Sequence, residues 1–178
     1  MLQLLLLRHA KTERSSPDGD HGRALTKRGT ADSALMGAYL HQHKLVPDRA
    51  LVSDALRTRQ TYDIAAAKFR SKVDAMLENE IYLADSLTLL RAILQTPDDV
   101  SRLLVVGHNP GIAELAHSLS AVGDEAAIAG LLENFPTAAL AIIEFNALRW
   151  LDIADTKGRL MRFVTAKSLR SDTDGEDE

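Results

Sequence analysis

The stretch LQLLLL, residues 2–7, is a run of apolar side chains interrupted once, by Gln3. Strands buried on both faces show such runs, because helices cover both sides of a parallel sheet and leave neither face in water. Two strongly polar residues, Arg8 and His9, follow the run directly. The sequence therefore predicts a buried strand of an α/β sheet that carries an arginine and a histidine at its carboxyl end.

Further segments along the chain alternate between strand and helix patterns. Apolar runs bounded by turn residues predict strands, and apolar residues three or four apart predict helices. The strands predicted after the first are 50–53, 73–78, 102–107, 137–147, 148–154 and 159–166. The predicted helices are 29–43, 55–70, 86–95 and 110–120. This alternation predicts a three-layer α/β/α sandwich with a mostly parallel central sheet.

The composition is that of an ordinary globular chain. With 178 residues, 46% of them hydrophobic, we expect a single domain over residues 1–168, followed by an acidic, disordered tail at 169–178. The net charge of −4 argues against nucleic acid as a partner, and the leucine run is too short to cross a membrane. We therefore expect a cytoplasmic protein. The chain has no cysteine, which excludes disulfide and thiolate chemistry.

Polar clusters follow three of the predicted strands. Ligands of open α/β sheets bind beyond the carboxyl ends of the strands, and the three clusters at such ends are Arg8–His9, Ser53–Arg57 and Gly107–Gly111. If the three strands are neighbours, two arginines, Arg8 and Arg57, and two histidines, His9 and His108, meet in one pocket. That combination is suited to phosphoryl transfer.

Each of these residue types has a role in such chemistry. The planar guanidinium fork matches phosphate oxygens two at a time, which makes Arg8 and Arg57 candidate phosphate ligands. A neutral imidazole can attack phosphorus through one nitrogen while the other donates to a backbone carbonyl, and His9 is the better placed histidine for this. His108 stands where a strand passes into a helix, where a protonated ring and the helix amides would stabilise the transferring group.

Five segments carry a resemblance to a known family: LLLLRHAKTE, RALTKRG, LVSDALRTRQT, LLVVGHNPGI and ENFPTAALA. In this order they resemble the histidine phosphatase superfamily, with its phosphoglycerate-mutase-like fold, and most of all its SixA-type phosphohistidine phosphatase branch. The resemblance implies a covalent phosphohistidine intermediate on His9. It also implies a phosphate pocket formed by Arg8, Arg57 and His108, and neither a metal nor an organic cofactor.

The sequence departs from the family's pattern at two places. Ala10 stands where the commoner motif has glycine after the histidine, and a methyl group should be tolerated there. Mutase and esterase members of the family also carry a glutamate, in a segment with a glycine, that protonates the leaving oxygen. The corresponding region here, ENEIYLADSLTLL, has no such glycine, and its candidate general acids are Glu80 and Asp85.

The lack of an evident acid bears on the substrate. An alkoxide leaving group needs a proton, whereas phosphohistidine leaves as an imidazole and depends far less on an acid. The sequence therefore favours a phosphorylated protein histidine as the substrate. A phosphomonoesterase that acts on small phosphorylated molecules and a phosphate-binding module without turnover remain as alternatives.

The remaining polar residues near the motifs have smaller predicted roles. His21 and Arg23, in the long loop after His9, are candidates for the substrate rim, and Ser53 or Asp54 is predicted to cap the helix that follows. No HExxH pattern occurs, and paired arginines repel a cation, so no metal site is predicted. We expect the chain to act as a monomer.

Overall fold

The computed structural model describes residues 1–174, in which seven strands alternate with six α-helices and two short 3₁₀ helices. The strands are β1 Leu2–Arg8, β2 Arg49–Ser53, β3 Asp74–Glu78, β4 Arg102–Gly107, β5 Ser120–Gly123, β6 Leu140–Phe145 and β7 Gly158–Val164. The α-helices are α1 Lys27–Gln42, α2 Leu56–Ala66, α3 Ser86–Leu94, α4 Gly111–Leu119, α5 Glu125–Glu133 and α6 Ala166–Asp174. The 3₁₀ helices are Asn79–Ile81 and Trp150–Asp155. No helix among the described residues is both long enough and apolar enough to cross a bilayer.

The strands form one sheet in the order β3-β2-β4-β1-β6-β7-β5. β3, β2, β4 and β1 are mutually parallel, and β6 is antiparallel to both of its neighbours, β1 and β7. β5 runs parallel to β7 at the edge of the sheet. All strands except β6 therefore run in the same direction, and the predicted mostly parallel sheet is confirmed.

The leucine run of β1 is buried on both faces of the sheet, as predicted. Leu4 and Leu6 pack in one cluster with residues of α3, α4 and α5, while Leu5 and Leu7 pack in a second cluster with residues of α1 and α2. All four side chains are fully buried, and each such burial stabilises the fold by about 1.5–3 kcal/mol. The two clusters are the two interfaces of a three-layer sandwich.

One predicted strand is wrong. Residues 148–154 were expected to be extended, but Trp150–Asp155 is a 3₁₀ helix. Trp150 and Ile153, three residues apart, are fully buried, whereas Leu148 and Leu151 are exposed. A spacing of three fits the three residues per turn of a 3₁₀ helix and not the alternation of a strand.

The C-terminal helix crosses the predicted domain boundary. α6 continues through Asp174, beyond residue 168, and Arg170 pairs with the buried carboxylate of Asp32 in α1. The chain is therefore ordered as a helix over the first part of the segment expected to be a tail. Residues 175–178 of that segment lie outside the described residues.

Candidate active site

The carboxyl ends of β1, β2 and β4 meet at one edge of the sheet. β4 pairs in parallel with both β1 and β2, and Arg8 stands opposite Gly107 in the register. A cleft of about 380 Å³ opens at this edge. Its lining includes the four residues that were expected to meet in one pocket, Arg8, His9, Arg57 and His108. The sheet topology thus brings Arg8 and His108, which are about a hundred residues apart in the sequence, into one cleft.

The backbone and the ring of His9 are held on several sides. Its N–H donates to the Gly107 carbonyl at 3.0 Å, and its carbonyl accepts from the Ala138 N–H at 3.1 Å. The ring Nδ1 lies 2.8 Å from the Ala10 carbonyl oxygen. A carbonyl only accepts, so Nδ1 carries the proton and Nε2 keeps its lone pair. Burial, followed by the charges of the arginines, lowers the pKa of His9 to about 4, so the ring is neutral at pH 7.

His108 lies beside His9, with 5.3 Å between the ring centroids. Its Nε2 is 2.7 Å from the Ser53 hydroxyl, and its Nδ1 is buried without a hydrogen-bond partner. Burial, the His9 ring and Arg57 lower the pKa of His108 to about 3. The expected protonated ring is therefore corrected to a neutral one. The predicted capping role of Ser53 or Asp54 is wrong as well, because Ala55 occupies the N-cap position of α2 and makes no side-chain cap.

Both predicted phosphate-binding arginines have an unpaired donor. Arg8 donates from Nη1 to the Phe135 carbonyl at 2.9 Å, and Arg57 is only 2% exposed. The Nε atoms of both arginines are buried and have no hydrogen-bond partner. Buried donors without partners cost about 1–3 kcal/mol each, so an anion that accepts from them would be bound firmly.

A carboxylate that the sequence did not single out lies among these cations. Asp20 accepts hydrogen bonds from Arg57 at 3.0 Å, from Arg23 at 2.9 Å and from the Tyr82 hydroxyl at 2.5 Å. The hydrogen bonds from Tyr82 and Arg23 hold the pKa of Asp20 well below its usual range. The Tyr82 ring also packs edge-on against His108, at 5.4 Å between centroids. Asp20 directly follows Gly19 in a turn of the long loop, and no sequence pattern pointed to these contacts.

The two candidate rim residues take different positions. Arg23 lines the cleft and also donates to the Glu13 carbonyl at 2.8 Å. His21 is exposed and pairs with Asp54 at 2.9 Å, and its ring packs against Tyr82. His21 therefore contacts Asp54 and Tyr82 and is absent from the lining of the cleft.

Neither candidate general acid lies in the cleft, which corrects that expectation. Asp85 is the N-cap of α3 and accepts from the Thr88 N–H at 2.7 Å. That hydrogen bond lowers the pKa of Asp85. Glu80 lines a separate cavity with Arg49 and Thr96. From the 79–85 segment, Leu83 lines the cleft, and Tyr82 contacts Asp20 and His108.

A larger cavity, of about 590 Å³, adjoins the cleft and shares Lys11 and Thr137 with it. It contains no histidine, and its lining is mixed in charge, with Arg28 bonded to Asp32. The chemistry of the residues therefore assigns catalysis to the smaller cleft. No cluster of three metal-binding side chains occurs within residues 1–174.

The arginines and histidines that the fold brings into the cleft are suited to phosphoryl transfer, and sequence comparisons agree with that class of protein. The pattern that defines the histidine phosphatase superfamily (branch 1) matches residues 4–80. An uncharacterized Mycobacterium tuberculosis protein, Rv1276c, is 35% identical over 161 residues, which span 88% of this chain and 98% of that protein. The chain therefore belongs to the histidine phosphatase superfamily.

Two further relatives carry names. Phosphohistidine phosphatase SixA of Escherichia coli is 29% identical over 120 residues, which span 66% of this chain and 74% of SixA. A solved structure from Nakamurella multipartitia, whose assignment as phosphohistidine phosphatase SixA is itself an inference, matches with a TM-score of 0.80 and 27% identity. The match covers 92% of this chain and 95% of that one. The predicted resemblance to the SixA-type branch is thus confirmed.

Proposed function

We propose that the protein is a phosphohistidine phosphatase, which removes phosphate from phosphorylated protein histidine through a covalent intermediate on His9. The observation that carries this proposal is the state of the His9 ring, a neutral imidazole whose Nδ1–H is committed to the Ala10 carbonyl. Its Nε2 lone pair is free to attack phosphorus without any prior proton transfer. The names of the SixA relatives support the same substrate class.

The reaction has two steps. In the first, Nε2 of His9 bonds to phosphorus, the bond from phosphorus to the substrate imidazole breaks, and the leaving nitrogen keeps the electron pair. In the second, water attacks the phosphoryl group, the electron pair of the P–N bond returns to Nε2, and water loses a proton to solvent. The unpaired donors of Arg8 and Arg57 are suited to hold the phosphoryl oxygens in both steps.

The acid–base groups of the cleft favour phosphohistidine over alkyl esters. Asp20 is the carboxyl group found in the cleft lining, and its lowered pKa keeps it ionised at neutral pH, so it has no proton to give. The hydrogen bond to Asp20 raises the pKa of Tyr82, which makes the phenol a poor acid. An imidazole leaving group is the one that depends least on such an acid.

The first test follows phosphate onto the enzyme. The wild-type chain, given a ³²P-labelled phosphohistidine protein, should form an acid-labile label and release inorganic phosphate. His9→Gln should abolish both, because no nucleophile remains. His41→Gln, at a half-exposed position on α1, is the matched control and should behave as wild type. Labelling and turnover at the wild-type rate in His9→Gln would rule the proposal out.

A second test compares leaving groups. Phosphohistidine protein should be hydrolysed at least ~10²-fold faster than an alkyl phosphate, because a placed acid is worth that much to an alkoxide. Equal rates on the two substrates would indicate a phosphomonoesterase for small molecules. Tight phosphate binding with no label on either substrate would indicate a binding module.

A further inference from the structure

The loop that follows β1 places one carboxylate, that of Asp20, against the guanidinium of Arg57. The Arg57 Nη1 donates to the Asp20 backbone carbonyl at 2.7 Å, and Nη2 donates to the Asp20 carboxylate at 3.0 Å. The same carboxylate accepts from Arg23 and from the Tyr82 hydroxyl. Asp20 therefore contacts three side chains of the site through its two carboxylate oxygens.

These contacts use only one edge of the guanidinium. A guanidinium has an end edge, formed by its two Nη atoms, and a side edge, formed by Nε and the second hydrogen of Nη2. Asp20 occupies the end edge, and Nε is buried without a partner. The Nε of the side edge has no hydrogen-bond partner, and Arg57 lines the cleft, so Asp20 and a phosphoryl group need not compete for the same donors.

The position of Asp20 is itself fixed by its neighbour in the loop. The Leu56 N–H, in the first turn of α2, donates to the His21 carbonyl at 3.0 Å, and the His21 ring pairs with Asp54 at 2.9 Å. The loop is thus attached to the start of α2, the helix that carries Arg57. A carboxylate held in this way is a fixed support and not a mobile competitor for the phosphate.

We propose that Asp20 is a positioning residue that fixes the guanidinium of Arg57 with its Nε edge available to the transferring phosphoryl group. This role rests on the proposed function only in that a phosphoryl group is taken as the ligand of Arg57. The loop after β1 thus supplies the carboxylate, Asp20, that holds an arginine of another segment, Arg57 of α2. Asp20 acts through Arg57 and takes no part in bond making.

The test keeps the charge and changes the geometry. Asp20→Glu retains the carboxylate but lengthens it by one methylene, and the single-turnover rate of phosphoryl transfer to His9 should fall roughly 10- to 100-fold, as expected for a displaced ligand. Asp20→Asn should also be slow. Asp18→Glu, an exposed position in the same loop, is the matched control and should keep the wild-type rate. Asp20 is itself well exposed, so its variants should fold, which urea unfolding would verify.

A double-mutant cycle identifies the route of the effect. If Asp20 acts through Arg57, Asp20→Glu should change the rate less than twofold when Arg57→Lys is already present. A wild-type rate in Asp20→Glu, or an undiminished loss on the Arg57→Lys background, would overturn the inference. If wild type forms no phosphohistidine at all, the proposed function fails. The role of Asp20 is then decided by measuring the dissociation constant of inorganic phosphate for the same four proteins of the cycle.

Discussion

At the scale of single residues, the neutrality of His9 and His108 is the property on which the chemistry depends. Both rings are buried in a cleft that also holds arginines, and both surroundings disfavour a second proton. A protonated His9 has no lone pair and cannot attack phosphorus. The low pKa values therefore keep the proposed nucleophile, His9, neutral at every pH near neutrality.

Titration of the ring carbons by NMR checks this directly. With pKa values of about 4 for His9 and about 3 for His108, the Cε1 shifts of both should stay flat from pH 8 to pH 5.5. A histidine in an unfolded peptide changes charge near pH 6.5, inside that range. Midpoints close to 6.5 for the two rings would contradict the account given for the cleft.

The hydroxyl of Ser53 is expected to matter through His108. Ser53→Ala removes the partner at 2.7 Å from a buried ring nitrogen, which should cost about 1–3 kcal/mol of unfolding free energy and weaken binding of inorganic phosphate. Ser118→Ala removes the hydroxyl of an exposed residue, which donates to the Leu115 carbonyl in α4, and it should leave phosphate binding unchanged. Urea unfolding and calorimetric titration measure the two effects. Equal phosphate affinity in Ser53→Ala and wild type would show that the ring needs no such partner.

The main site residues were predictable because strand ends converge by geometry. Arg8, His9, Arg57 and His108 all follow buried apolar runs, and parallel pairing of neighbouring strands brings such positions together. Asp20 lies in a loop without periodicity, so nothing local says which way its carboxylate turns. Tyr82 lies between the candidate acids Glu80 and Asp85. The acid of the related enzymes is a carboxyl group, so the resemblance did not point to a phenol.

At the scale of elements, segments with a clear apolar pattern were predicted well, and one region without such a pattern was missed. The sequence predicts no element between residues 121 and 136, yet this region contains most of β5 and all of α5, with Asp124 accepting from the Ala127 N–H as N-cap. Asp124 is a helix start signal, but the helix after it has few large apolar side chains. Its Ala127 and Leu131 are buried by tertiary packing, which no local pattern encodes.

Gly29 is predicted to be required where α1 packs on the segment after His9. A Cβ at this position would overlap the Lys11 carbonyl oxygen, so Gly29→Ala should destabilise the protein by at least ~1–3 kcal/mol, despite the better helix propensity of alanine. The matched change, Gly130→Ala in α5, would meet only a Phe163 ring carbon at 3.1 Å. Its unfolding free energy should stay within about 1 kcal/mol of wild type. Similar urea midpoints for the two variants would refute this difference.

At the scale of the whole molecule, the two neutral histidines make stability depend on pH. Their folded pKa values lie below the unfolded value of 6.5, so between that value and the folded pKa the unfolded chain binds more protons. Stability contributed by their neutrality is complete above pH 6.5 and is lost as the pH falls toward 4. The loss should be on the order of several kcal/mol for the pair.

Unfolding free energies at pH 7.5, 6 and 4.5 test this dependence. The wild type should lose stability progressively between the first and last values. The His9→Gln, His108→Gln double variant should show a distinctly smaller loss, since glutamine does not titrate. Parallel pH profiles for the two proteins would place the acid sensitivity elsewhere in the molecule.

The single tryptophan of the chain, Trp150, is fully buried, and its indole N–H donates to the Val100 carbonyl at 2.7 Å. Val100 precedes β4, whereas the cleft lies beyond the other end of that strand. The tryptophan fluorescence of the protein thus comes from a side chain near the amino end of β4, whereas an oxyanion in the cleft would lie beyond the carboxyl end of that strand. Quenching and a red shift of the tryptophan emission will report loss of the fold. Ligand binding should leave that emission unchanged and be detected through the rise in melting temperature that it causes.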